Sequence, residues 1–98
     1  MKTFYIFTTT EFTDFVSTLK DHRVRKAILQ RLTRVAAGNF GDAKSVGQGV
    51  SELRIRLGKG YRLYYTIKDQ TVIVMLCGGD KTTQTKDIER AKILKANL

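Results

Sequence analysis

The chain has 98 residues, with 18 Lys and Arg against 9 Asp and Glu, a formal net charge of +9, one cysteine and one histidine. That is one domain's worth of chain, 1–98; Cys77 alone excludes an internal disulfide, and one Cys with one His assembles no metal cluster, so neither metal nor other cofactor is expected. No apolar run approaches the roughly 18–20 residues that span a bilayer, and the charge excess points to polyanions or an acidic protein as partners.

The opening "MKTFYIFTTTEF" has a brief apolar patch alternating with polar residues and no small-residue cleavage site, so it reads as a mature strand of a cytoplasmic protein rather than a signal peptide. "KTFYIFT" has the β-branched and aromatic content of that strand. Thr8, with Glu11 three residues on, predicts a capping box for a helix whose apolar face is Phe12, Phe15, Val16 and Leu19. Asp21 is the expected N-cap of a second helix, in which Val24, Ala27, Ile28, Leu32 and Val35 form the buried stripe and Gly38 marks the end. Its opposite face carries Arg23, Lys26, Gln30 and Arg34, placed to meet solvent, a partner or nucleic acid.

From Asn39 to Gly49, "NFGDAKSVGQG" is rich in Gly and small polar residues and reads as a loop. The period then shifts to two. Leu53, Ile55 and Leu57 alternate with Glu52, Arg54 and Arg56, and Tyr61, Leu63 and Tyr65 alternate with Arg62, Tyr64 and Thr66, with "GKG" between them as a hairpin turn. "TVIVMLC" is apolar on both faces, as a central or doubly covered strand would be, and Cys77 on it reads as a small packed hydrophobe. In "LCGGDKTTQTKDI" the two glycines read as a flexible turn that aims Asp80 and Lys81. Ile88, Ala91, Leu94 and Leu98 then predict a last helix, with Thr85 as its cap and Asp87 and Glu89 near its positive end. The predicted order is βααβββα.

If Leu53, Ile55 and Leu57 face inward, Glu52, Arg54 and Arg56 point to the other face, and the antiparallel neighbour adds Arg62 and Tyr64 to one face or the other according to register. An arginine-lined sheet face follows: guanidinium forks for phosphates, flanked by tyrosine planes for bases. Asp80 and Lys81, at the end of the next strand, would complete an anionic-ligand site. P-loop and HExxH patterns are absent, and His22 alone rules out two-histidine ribonuclease chemistry. Any RNA cleavage would fall to arginine, lysine, tyrosine or a carboxylate.

"GNFGDAKSVGQGVSELRI", "GKGYRLYY" and "LCGGDKTTQTKDIERA", in that order, resemble the phage-derived HigB-like addiction-module killer proteins of the RelE/ParE toxin superfamily, over essentially the whole chain. The resemblance implies an α+β, RelE-like fold with two N-terminal helices on an antiparallel sheet of about four strands and a short C-terminal helix. It also implies the toxin of a type II toxin-antitoxin system, acting as a metal-independent endoribonuclease on messenger RNA at the ribosome. A cognate antitoxin, expected to be a helix-turn-helix DNA-binding protein, would neutralise it; relatives resembling ParE poison DNA gyrase instead.

On that reading Arg62 of "GYR" matches the RelE-type arginine, and Lys81 the basic residue beyond the last strand, steered by Asp80. Arg54 of "ELR" is the third catalytic residue. Glu52 stands near where RelE carries a lysine and no tyrosine follows Lys81, which leaves Tyr64 or Glu52 as acid or base. Arg23, Lys26, Arg34, Arg56 and Gln84 would touch RNA or ribosome.

Overall fold

The computed structural model describes residues 2–98. Its elements run β1 (Tyr5–Thr8), α1 (Thr10–Thr18), α2 (His22–Ala36), β2 (Ala43–Gly47), β3 (Val50–Ile55), β4 (Tyr61–Lys68), β5 (Val72–Asp80) and α3 (Gln84–Ala96). The strands form one sheet in the order β1-β5-β4-β3-β2, with β1 parallel to β5 and the other pairs antiparallel. The α+β architecture is the expected one. A fifth strand, β2, comes from the stretch read as a loop; it pairs Ala43 to Ser45 with Leu53 to Ser51 before a register shift at Gly47.

Helices cover both faces. On one, the predicted stripes of α1 and α2 pack over Leu53, Ile55, Leu63, Tyr65, Ile73 and Met75. On the other, Ile88, Ala91 and Leu94 of α3 pack over Val50, Tyr64, Val74, Leu76 and Cys77. This double cover is why "TVIVMLC" is apolar on both sides. It also corrects the expected open, arginine-lined face: α3 seals Glu52 and Tyr64 at 0% exposure and leaves uncovered the end of the sheet that carries Arg54 and Arg62 and, at the β1 edge, Tyr5 and Phe7. Leu98, expected in the last apolar stripe, lies beyond α3 at 53% exposure.

Helix starts are also shifted. The N-cap of α1 is Thr9 rather than Thr8: its hydroxyl accepts from the Phe12 N–H at 3.0 Å and donates to the Leu76 carbonyl at 2.6 Å, tying the helix to β5. Glu11 makes no capping box, because Arg90 on α3 takes its carboxylate at 2.6 Å. Asp21 caps α2 as expected, accepting from the Arg23 N–H at 2.9 Å, and Gly38 follows its last turn at φ +92°. The α3 cap position is Thr83 rather than Thr85, with the Thr83 hydroxyl donating to the Asp87 carboxylate at 2.5 Å.

The double glycine is no flexible turn; both residues belong to β5. A Cβ on Gly78 would lie 2.5 Å from Cδ2 of the Phe15 ring, and one on Gly79 would lie 2.8 Å from Thr83 Oγ1 and closer still to the Asp87 carboxylate. The missing side chains let α1 approach the end of β5 from one face and the start of α3 from the other.

Candidate active site

The β3–β4 hairpin closes through Gly58 and Gly60 at φ +59° and +80°, a left-handed backbone that glycine adopts without a Cβ penalty. Its register sets Arg54 directly opposite Arg62 and Glu52 opposite Tyr64. Like charges directly opposed across a strand pair are destabilising. Here they are offset from outside the pair. Arg54 Nη2 lies 2.9 Å from Asp42 Oδ1, Arg56 Nε lies 2.9 Å from Asp42 Oδ2, and Arg62 Nε lies 3.7 Å from Glu52 Oε2. At the end of β5 the Lys81 N–H donates to the Gly60 carbonyl at 3.2 Å, which brings that lysine against the hairpin.

The result is an open cleft of about 390 Å³ whose lining includes Arg54, Arg56, Lys59, Tyr61, Arg62 and Lys81. Five cations line it and no carboxylate does. The acids stand behind the rim. Hydrogen bonds, first from Arg56 and then from Arg54, hold the Asp42 carboxyl below its ordinary range; bonds from Thr82, with Lys59 contributing, do the same for Asp80. Both stay ionised at neutral pH.

Beneath the cleft lies a buried polar knot. Glu52 accepts from Gln84 Nε2 at 3.2 Å and sits 3.9 Å from Lys44 Nζ as well as 3.7 Å from Arg62. Glu52 Oε1, Arg62 Nε and Tyr64 Oη are buried with no hydrogen-bond partner among the described residues. Burial pushes the Tyr64 phenol further up, with the Glu52 charge adding to it. A sealed carboxylate beside a sealed phenol orients Arg62 from behind; neither reaches a ligand in the cleft.

The structure thus brings Arg54, Arg62, Lys81 and Arg56 onto one surface, and places Glu52 and Tyr64 under it. Asp80 faces Lys59 Nζ at 3.3 Å rather than steering Lys81, because the β5–β4 register sets it beside the hairpin turn, opposite Tyr61. Gln84 is turned inward onto Glu52. Arg23, Lys26 and Arg34 are exposed on α2 and none lines the cleft; Arg23 pairs with Asp21 at 3.0 Å.

Sequence reading missed four members. Lys59 and Tyr61 line the cleft, and the signal was a cation in a turn between two arginine-bearing strands. Asp42 holds Arg54 and Arg56. Arg31 donates to the carbonyls of Arg54 at 2.5 Å, Phe40 at 3.0 Å and Asp42 at 3.2 Å, fastening the Asp42 loop to β3. Its signal was an arginine inside an apolar stripe, three residues after Ile28 and four before Val35. Among the described residues no cluster of His, Cys, Asp or Glu fits a metal ion, and no helix is long and apolar enough to cross a membrane.

A family described as "Phage derived protein Gp49-like (DUF891)" matches residues 14–97. An uncharacterized protein of Haemophilus influenzae is 47% identical over 96 residues, covering 98% of this chain and 97% of the relative. Among solved structures, a mutant of the E. coli toxin RelE in the free state superposes with a TM-score of 0.73 at 16% identity, over 97% of this chain and 98% of that one. The toxin-antitoxin complex RelBE2 of Mycobacterium tuberculosis gives 0.64 at 21% identity, over 81% and 99%. At these identities the structural likeness is one of fold.

Proposed function

We propose that this chain, which belongs to the phage-derived Gp49-like family and has a RelE-like fold, is the toxin of a type II toxin-antitoxin pair. It cuts messenger RNA at the ribosome, in the cytoplasm, without a metal ion, and a cognate helix-turn-helix antitoxin silences it. Two solved relatives of its fold are a toxin and a toxin-antitoxin complex. The observation that carries the reading is the cleft itself, where five cations converge with no acid among them.

Cleavage by the ribose 2′-OH needs that hydroxyl deprotonated, charge on a pentacoordinate phosphorane stabilised and the 5′ oxygen protonated. Cations preset where negative charge develops supply the largest share of such catalysis. Arg54 and Arg62, opposed on neighbouring strands, present rigid forks to the phosphoryl oxygens, and Lys81 approaches from the end of β5. The 2′ oxygen bonds to phosphorus as the P–O5′ bond breaks, leaving a 2′,3′-cyclic phosphate; the 2′-OH proton passes to water in the open cleft, and the leaving 5′ oxygen takes one from a lining group with an exchangeable proton: Lys81, Lys59 or Tyr61. Arg56 holds the RNA path at the rim, and Arg23, Lys26 and Arg34, on a separate surface, contact ribosomal RNA.

The test is brief induction in bacteria followed by primer extension of messenger RNA, repeated with Arg54→Ala, Arg62→Ala and Lys81→Ala. Discrete cuts are expected, reduced roughly 10²–10³-fold by each change, the scale of losing one preorganised donor; melting temperature is retained in Arg54→Ala and Lys81→Ala, whereas Arg62→Ala takes a partner from the buried Glu52 carboxylate and also lowers it. Intact messages with accumulated gyrase–DNA breaks would assign the fold to gyrase inhibition. Intact messages without breaks would leave a non-catalytic RNA-binding module.

A further inference from the structure

Beside the cationic cleft lies a second cavity of about 320 Å³, whose border includes Phe15, Lys20, Lys59, Tyr61, Gly79 and Asp80. Lys59 and Tyr61 border both cavities, so the two share a wall. Their chemistry differs sharply. The first holds five cations and no acid; the second sets the Asp80 carboxylate, two aromatic rings and the hydroxyls of Thr18 and Thr83 beside Lys20 and Lys59. The bare backbone of Gly78 brings the Phe15 ring against the end of β5, so no side chain stands between the ring and the strand there.

Asp80 is the acid among the residues that line this cavity, and its bonds are lopsided. Its Oδ1 accepts from both the N–H of Thr82 at 2.8 Å and the Thr82 hydroxyl at 2.5 Å, whereas Oδ2 meets only Lys59 Nζ at 3.3 Å. The side chain is 17% exposed. A carboxylate oxygen has about two acceptor sites, so Oδ2 keeps one for an incoming donor. The turn at Thr82 fixes the carboxylate's orientation before any ligand arrives.

A phosphate-binding surface joined to a slot with aromatic walls and one directed acceptor is what a nucleotide requires: charge for the backbone, a ring face for stacking, an edge contact for identity. We propose that the second cavity is the base subsite beside the scissile phosphate, and that Asp80 selects a base bearing an exocyclic amino group, cytosine over uracil. The inference rests on the endoribonuclease reading and adds a specificity-determining residue to it. Cytosine presents its N4 amino group as a donor where uracil presents the O4 acceptor. Oδ2 binds the first and repels the second. Tyr61 and Phe15 border the cavity as rings indifferent to base identity, so discrimination falls on the edge contact.

The experiment measures binding, apart from cleavage, by fluorescence anisotropy at low salt. The probes are labelled tetracytidylate and tetrauridylate carrying 2′-fluoro riboses, which lack the hydroxyl nucleophile. The wild-type chain is expected to prefer the cytidine probe by about tenfold or more, the scale of one hydrogen bond to a charged group. Asp80→Asn gives the subsite an amide that donates to O4 while still accepting from Thr82, and the preference should shrink to about twofold or reverse. Arg62→Ala should weaken both probes alike and lower the salt dependence, as loss of a phosphate contact does. Equal wild-type affinities, an unchanged ratio in Asp80→Asn, or binding of neither probe would overturn the subsite. Discrete message cuts in the primer-extension experiment would then leave the endoribonuclease reading standing alone.

Discussion

Replacing Gly78 by alanine tests the account of the double glycine. The new Cβ would stand 2.5 Å from Phe15 Cδ2, closer to Cε2, and 3.1 Å from Cζ, well inside the roughly 3.5–4.0 Å of carbon–carbon contact. The Phe15 ring packs within the core between the helix pair and the sheet. It cannot simply retreat, because Thr9 fastens the start of α1 to the Leu76 carbonyl of the same strand. Overpacking of this kind typically costs about 1–3 kcal/mol. At about 4–8 °C per kcal/mol for a domain of this size, the melting temperature should fall by roughly 5–20 °C. Circular-dichroism melts measure it directly. Phe15→Leu removes the clashing ring edge, so the double variant should be more stable than the two single losses predict, by roughly 0.5–3 kcal/mol of coupling. A Gly78→Ala protein that melts with the wild type, or strict additivity in the cycle, would mean that the glycine is not there to admit the ring.

Two other outcomes follow from the titrating groups. The carboxyls of Glu11, Asp42 and Asp80 are held below their ordinary values of 4.5, 3.8 and 3.8, chiefly by hydrogen bonds from Arg90, Arg56 and Thr82 respectively. A group whose folded pKa is lowered gives its full stabilisation above the unfolded pKa and loses it as pH falls through the folded value. Melting temperature should therefore be insensitive to these three groups above about pH 5 and drop below about pH 4, with Glu11→Gln flattening part of that drop; an unaltered acid limb would refute the Arg90 contact. Burial pushes the Cys77 thiol up to about 12, so alkylation at pH 8 should be negligible in the folded protein and rapid in denaturant. Fast native labelling would show that α3 does not cover β5.

The parts of the fold that sequence made legible are those whose signal is local. The stripes of α1 and α2 and the alternation of β3 and β4 are periodic patterns that each element imposes on its own residues. Strand β2 has no such pattern. "AKSVG" is a five-residue edge strand with one β-branched residue and an irregular register at Gly47, and edge strands are often short and carry lysine because that discourages pairing with other chains. The parallel placement of β1 beside β5 is likewise invisible locally, since it joins Tyr5 to Val72 and Thr8 to Met75. The site followed the same division. Alternation put Arg54 on the face opposite Leu53 and Ile55, but the face of Arg62 and the partner of each charge depended on register and on α3. Gln84 reaches Glu52 across 32 positions, and Asp80 takes Lys59 instead of Lys81 because of where β5 ends.

Three stabilising preferences are set aside within a few residues of the cleft. Arg54 faces Arg62 directly. Glu52 keeps a carboxylate at 0% exposure, where desolvation of a charge is costly unless neighbours offset it. Arg62 Nε and Tyr64 Oη are buried beside it without hydrogen-bond partners among the described residues, although an unmet buried polar group typically costs about 1–3 kcal/mol. A sequence chosen only for stability would place apolar residues at Glu52 and Tyr64, and at least one neutral residue at Arg54 or Arg62. Such departures concentrate at working sites. Here they have a single geometric product: a guanidinium backed by a buried carboxylate, turned toward a cleft that holds five cations and faces open solvent. The acid beside Arg62 sits where an incoming phosphate would not be repelled by direct contact, and that arrangement is what the proposed anion site needs and a surface ion pair does not provide.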